Sequence, residues 1–115
     1  MAHPEQIEFC KKVMSQFNLS NSRVYDFGSL DINGNNRYLF KSGVGVGAEY
    51  TGIDIGEGSN VDVVCPAHLF KPPKKADIVI STEMLEHDRH WAESIKNMLY
   101  CLSSGGLFIM TCATE

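Results

Sequence analysis

The sequence predicts an α/β fold: an open, doubly wound sheet of five mainly parallel strands, preceded by an N-terminal helix. Three observations carry this. Helical and strand patterns alternate along the chain, as they do where strands of one sheet are joined through helices. Ala76 to Ser81 (A-D-I-V-I-S) is almost continuously apolar, as a strand covered on both faces should be. The strand pattern Arg23 to Phe27 runs straight into Gly28, and ligands of such sheets bind where strands end in turns of that kind.

Each element has its own signal. Pro4 suits a first helical position, with Glu5 and Glu8 near the positive end of the helix. Ile7, Cys10, Met14 and Phe17 then recur at helical spacing and make one apolar face, until Asn18 to Ser22 breaks the pattern. Arg23 to Phe27 (R-V-Y-D-F) is the first strand. Asn33 to Lys41 is expected to start a short helix, with Tyr38, Leu39 and Phe40 as apolar contacts, and Gly43, Gly45 and Gly47 end it in a loop. Tyr50 to Ile55 is the second strand, Val61 to Cys65 a short third and Ala76 to Ser81 the fourth. Trp91, Ile95, Met98, Leu99 and Leu102 form an amphipathic helix ending near Ser103 to Gly106, and Leu107 to Thr111 (L-F-I-M-T) is the fifth strand. One junction resists the scheme. Only Gly56 to Asn60 separate strands two and three, whereas a parallel crossover normally takes about a dozen residues. Either the third strand is very short and reached by a loop, or its pairing differs.

A chain of 115 residues suits one domain, and 43% hydrophobic residues are enough to build a core. The net charge of −4 excludes a whole-domain electrostatic footprint for nucleic acid or an anionic membrane. Lys71, Lys74 and Lys75, the densest basic cluster, read as a solvated loop. No apolar run spans a bilayer, and Met1 to Glu5 has neither the basic nor the apolar region of a secretory signal. The four cysteines, at positions 10, 65, 101 and 112, form no C-x-x-C pair. Cys10, Cys65 and Cys101 fall inside apolar patterns and are expected to be small core residues in a reducing, cytoplasmic setting.

The chemistry is concentrated in Asp26-Phe27-Gly28-Ser29-Leu30-Asp31-Ile32-Asn33-Gly34. Glycine after a strand lets the backbone pass close to a ligand, and the next helix offers free amides. A nucleotide ribose then wants a carboxylate at the end of the neighbouring strand, where Asp54 stands 26 residues after Gly28. Two points favour a sulfonium cofactor over a dinucleotide. Asp26, two residues before the glycine, can organise an ammonium but is badly placed beside a pyrophosphate. The loop also lacks G-x-G-x-x-G and carries a further anion, Asp31.

With these residues in place the sequence resembles a class I S-adenosylmethionine-dependent methyltransferase. The motifs are D-F-G-S-L-D-I-N-G, then G-I-D-I, then S-T-E-M-L-E-H after an apolar strand, then S-S-G-G-L-F-I-M-T. The L-E-H motif is in the style of the type 11 methyltransferases, and the resemblance covers residues 23 to 114. It implies a Rossmann-like sheet in the order 3-2-1-4-5 and S-adenosylmethionine as cofactor. Carried over residue by residue, Asp26, Gly28 and Ser29 hold the methionine end. Asp54 holds the ribose with Ile55 beside the adenine, and Ser81, Thr82 and Glu83 line the methionine and methyl side. The departures are a loop poorer in glycine, and Cys65-Pro66-Ala67-His68 where the family usually has an acidic residue after the third strand. The family also continues past the fifth strand with a helix and a strand pair. The sequence is therefore expected to be the cofactor half of a longer fold, with the C-terminal strand pair missing.

Glu83, Glu86, His87, Asp88 and His90 invite a metal site, since His87 and His90 could share a helical face. The same residues coincide with the L-E-H motif, so no metal is expected, and Glu83 and His87 are instead candidates for a general base. Trp91 and Phe40 read as core. The expected activity is transfer of a methyl group to a small-molecule acceptor. A nicotinamide-dependent oxidoreductase and a non-catalytic cofactor-binding remnant or partner subunit are the alternatives. The fifth strand would leave an open edge, through which a homo-oligomer could form.

Overall fold

The computed structural model describes residues 4–17, 21–31, 37 and 47–112. The helix expected from Asn33 to Lys41, the Phe40 core contact and most of the glycine loop lie outside them. Helix α1 spans Pro4–Met14, with Glu5 in its first turn and Lys11 and Lys12 in its last, each at the favourable end of the dipole. Ile7, Cys10 and Met14 are its buried face. Phe17 is not part of it: the helix has ended, a Phe17 N–H to Met14 carbonyl turn follows, and the ring is exposed.

The five strands are β1 (Arg23–Phe27), β2 (Glu49–Asp54), β3 (Val63–Val64), β4 (Ala76–Thr82) and β5 (Leu102–Thr111), all parallel in the order β3-β2-β1-β4-β5. Side-chain alternation along β1 and β4 feeds two cores. Val24, Ile78 and Ile80 pack with Cys10 and Met14 of α1 on one face. Tyr25, Phe27 and Val79 pack on the other with Met98 and Cys101, both from helix α2 (Trp91–Cys101), and with Phe70. The Phe70 ring meets Tyr25 and Phe27 edge-on at 5.2 and 5.6 Å. The sheet is thus doubly wound, as the sequence predicts.

The resistant junction resolves as the first alternative. β3 has two residues and pairs only with Ile53 and Asp54 at the end of β2. The chain therefore needs to drop back very little, and a loop without a helix is enough. Asp62 N–H to Gly52 and Cys65 N–H to Asp54, both 2.8 Å, extend the ladder on either side.

Three expectations need correction. In α2 the buried side chains are Ser94, Asn97, Met98 and Cys101, while Trp91, Leu99 and Tyr100 are exposed. Trp91 is therefore not core. The apolar periodicity misleads because polar groups on the buried face are hydrogen-bonded there: the Asn97 amide donates to the Ala67 and Phe70 carbonyls at 2.8 Å and accepts from Lys71 at 2.8 Å. Lys71 is thus tied down, and Lys75 lies 4.7 Å over the Tyr100 ring, so this basic cluster is not simply solvated. The fifth strand also begins at Leu102, directly from α2. Its partner register jumps from Ala76–Leu102 to Ile78–Leu107, so Ser103 to Gly106 are a bulge within the strand. Gly105 takes a left-handed φ of 79° there. Among the described residues no helix is long and apolar enough to cross a membrane.

Candidate functional site

Gly28 ends β1 with φ 81°, a conformation glycine adopts without penalty. The turn folds the chain over the end of β2, where the Gly28 and Ser29 amides donate to the Ile53 carbonyl at 2.7 and 3.1 Å. Asp54 closes the arrangement. One of its carboxylate oxygens accepts the Leu30 amide at 3.0 Å and the other the Gly56 amide at 2.9 Å. A single side chain thereby holds the loop after β1 and the loop after β2.

Behind this carboxylate lies a polar network centred on Asn60, itself in a left-handed conformation with φ 68°. Its amide nitrogen donates to the Ser29 carbonyl at 2.9 Å and to the Tyr50 hydroxyl at 3.0 Å, and its carbonyl accepts from Arg37 at 2.6 Å. Ser29 returns a bond from its hydroxyl to the Asn60 backbone carbonyl at 2.7 Å. The Tyr50 hydroxyl donates to Asp26 at 2.5 Å. Burial first, and the Asp26 charge and hydrogen bond next, push the Tyr50 pKa well above the usual phenol range, so it stays a proton donor. The Arg37 guanidinium covers the Tyr50 ring at 4.4 Å and reaches Asp62, whose carboxylate also takes the Gly52 amide.

In front, a cavity of about 500 Å³ opens at the carboxyl ends of β1, β2 and β4. That place and size suit a small-molecule site in an open parallel sheet. Gly28, Ile53, Asp54 and Ile55 line one side, and Cys65 to His68 the wall after β3. Glu83, Met84 and the segment from His87 to His90 complete it. Glu83 follows β4 with φ 53° and its amide on the Thr111 carbonyl at 3.0 Å, a turn that carries the chain from the sheet to the cavity.

The structure therefore brings Gly28, Asp54, Ile55, Glu83 and His87 to one cavity. It does not bring Asp26, Ser29, Ser81 or Thr82 there. All four are buried, Asp26 against Tyr50, Ser29 against Asn60, and Ser81 and Thr82 in register with Met110 and Thr111 of β5. His87 closes a short 3-10 turn (Leu85–His87), and α2 starts only at Trp91, so His87 and His90 do not share a helix. Among the described residues no three His, Cys, Asp or Glu side chains come together in a way that could hold a metal ion.

Sequence reasoning missed the wall made by His68 and His90, whose rings stack with centroids 4.3 Å apart and planes at 31°. They come from segments about twenty residues apart, and only the docking of α2 on the turn Ala67–Leu69 joins them. Asp88 steadies this wall, accepting the His90 amide at 2.8 Å and the Ser94 hydroxyl at 2.5 Å. His90 Nδ1 lies 3.2 Å from Glu93. The one available signal was C-P-A-H itself, standing where the family has an acidic residue.

A family model described as a methyltransferase domain matches residues 2–115. No curated protein matches the chain. With nearly every residue inside the match, an all-parallel sheet of order β3-β2-β1-β4-β5 and a cavity at its carboxyl edge, the chain belongs to the methyltransferase domain family, with the Rossmann-like architecture of class I.

Proposed function

We propose that the chain binds S-adenosylmethionine in this cavity and transfers its methyl group to a small-molecule acceptor. The observation that carries the proposal is Asp54. Asp54 lines the cavity at the end of β2, and each of its carboxylate oxygens accepts one backbone amide. A carboxylate oxygen has a second lone pair, so both remain able to accept a ribose hydroxyl. Ile55 is 76% exposed and offers an apolar plate beside it for a base. The Gly28 turn presents backbone with no side chain in the way. Four free cysteines, two of them buried, support a reducing compartment such as the cytoplasm.

The bound cofactor would supply a methyl group on a sulfonium, an activated leaving group that needs no acid. What remains for the protein is alignment and exclusion of water. Asp54 fixes the sugar, Gly28 and Glu83 border the path between donor and acceptor, and Cys65 to Ala67 close one side. Where the acceptor must lose a proton, Glu83 or His87 takes it, both residues lining the cavity.

Calorimetry with S-adenosylhomocysteine tests this directly. The chain should bind it, and Asp54→Asn, which keeps the shape but loses the charge, should weaken binding by about 10- to 100-fold, the scale of a charge-assisted hydrogen-bond pair. No binding by the unaltered chain, or equal binding by the variant, would sink the proposal. NADH binding in its place would favour an oxidoreductase.

A further inference from the structure

All three histidines among the described residues line this one cavity, and so does Arg89. His68 arrives from the turn after β3, while His87, Arg89 and His90 arrive from the connection between β4 and α2. Two separate segments thus deliver basic side chains to the same mouth, in a chain whose net charge is −4.

Three acids, Asp54, Glu83 and Asp88, line the same cavity, and both aspartates are turned onto hydrogen-bond donors of the chain itself. Asp54 accepts the Leu30 and Gly56 amides, and Asp88 the His90 amide and the Ser94 hydroxyl. Glu93 takes His90 Nδ1, and Glu86 stands 3.9 Å from His87 Nε2. Arg89 forms no ion pair with any described residue. A guanidinium in that position is a ready receptor for a planar or tetrahedral oxyanion, because its N–H groups form a rigid fork. Pro66, Ala67 and Met84 give the same cavity an apolar wall.

Resting on the methyltransferase reading above, we infer that the methyl acceptor is an anionic small molecule, and that Arg89, which shares the cavity with His68, His87 and His90, holds its carboxylate or phosphate. The cavity then divides by chemistry. The ends of β1 and β2, with Gly28, Asp54 and Ile55, take the donor. The basic side takes the acceptor, and Glu83 stands at the end of β4 between them. No bond changes at Arg89; it orients the acceptor toward the methyl group.

The test is calorimetry on the full chain, with and without saturating S-adenosylhomocysteine, using benzoate, phenyl phosphate and the neutral benzamide as probes. One or both anions should bind at least about tenfold tighter than benzamide, the scale of a charged hydrogen bond. Arg89→Gln should abolish that preference, Arg89→Lys should restore part of it, and neither should change the affinity for S-adenosylhomocysteine. The stronger of the two anions identifies carboxylate or phosphate as the acceptor group. Equal binding of anions and benzamide, anion binding indifferent to Arg89→Gln, or an equal loss of S-adenosylhomocysteine affinity in that variant would each overturn the inference. Arg89-dependent anion binding by a chain that ignores S-adenosylhomocysteine would uphold the anion subsite and refute the methyltransferase reading instead.

Discussion

Asn60 shows how much of the site hangs on single side chains behind the cavity. It bonds to Ser29, Tyr50 and Arg37 while holding a left-handed backbone. The two contributions separate by substitution. Asn60→Gly tolerates the backbone and loses only the side chain, so it should cost about 1–3 kcal/mol in urea denaturation. Asn60→Ala loses the same bonds and adds left-handed strain, and should be less stable than the glycine variant by about 1 kcal/mol. Equal stability of the two would mean that the backbone is not strained there. Asp54 and Gly28 were legible in the sequence, because a residue at the end of a strand is placed by the strand. Asp26 and Ser29 were legible as neighbours of the site but not in their orientation. Both face Tyr50 and Asn60, and that depends on a loop whose path no local pattern records.

Among the elements, the strand cores were plain and the boundaries were not. Ser103 to Gly106 resembles a stop signal, yet the strand runs through it as a bulge. The face of α2 was hidden because Ser94 and Asn97, polar by type, are buried to hold Asp88 and the Ala67 and Phe70 carbonyls. The β2–β3 connection is the element in which sequence and structure explain each other best. It lies so close to the sheet that a Cβ at Gly52 would meet the Asn60 carbonyl and would sit 2.5 Å from the Ser29 hydroxyl. Gly52→Ala must therefore displace one loop or the other. We expect a loss of about 1–3 kcal/mol, as for overpacking elsewhere. Weaker S-adenosylhomocysteine binding should accompany it, since the displaced loop carries the Gly56 amide of Asp54. A variant of full stability and affinity would show that the loop is not seated on the strand.

For the molecule as a whole, the buried protons set an alkaline limit. Burial, with a smaller contribution from the Asp26 charge, pushes the Cys10 thiol up from 9.0 to about 12. Burial likewise raises Tyr25, Tyr50 and Cys101. Each group keeps in the folded chain a proton that the unfolded chain releases. Their contribution is complete below the unfolded thiol value near 9 and is lost as pH rises toward the folded ones. Urea midpoints should therefore hold up to about pH 8.5 and fall clearly by about pH 10.5, and Cys10→Ala should flatten the first part of that fall. A midpoint independent of pH over this range would contradict the burial of these groups. The Asp54 clasp has a further consequence, in time rather than in space. The Leu30 and Gly56 amides belong to different loops, yet one carboxylate holds both, against the ends of two adjacent strands. Their hydrogens should exchange with solvent together, more slowly than loop amides usually do, and both should become fast in Asp54→Ala, which removes both acceptor oxygens. The floor of the cavity then opens as a single unit, and a ligand resting on it would slow both amides at once.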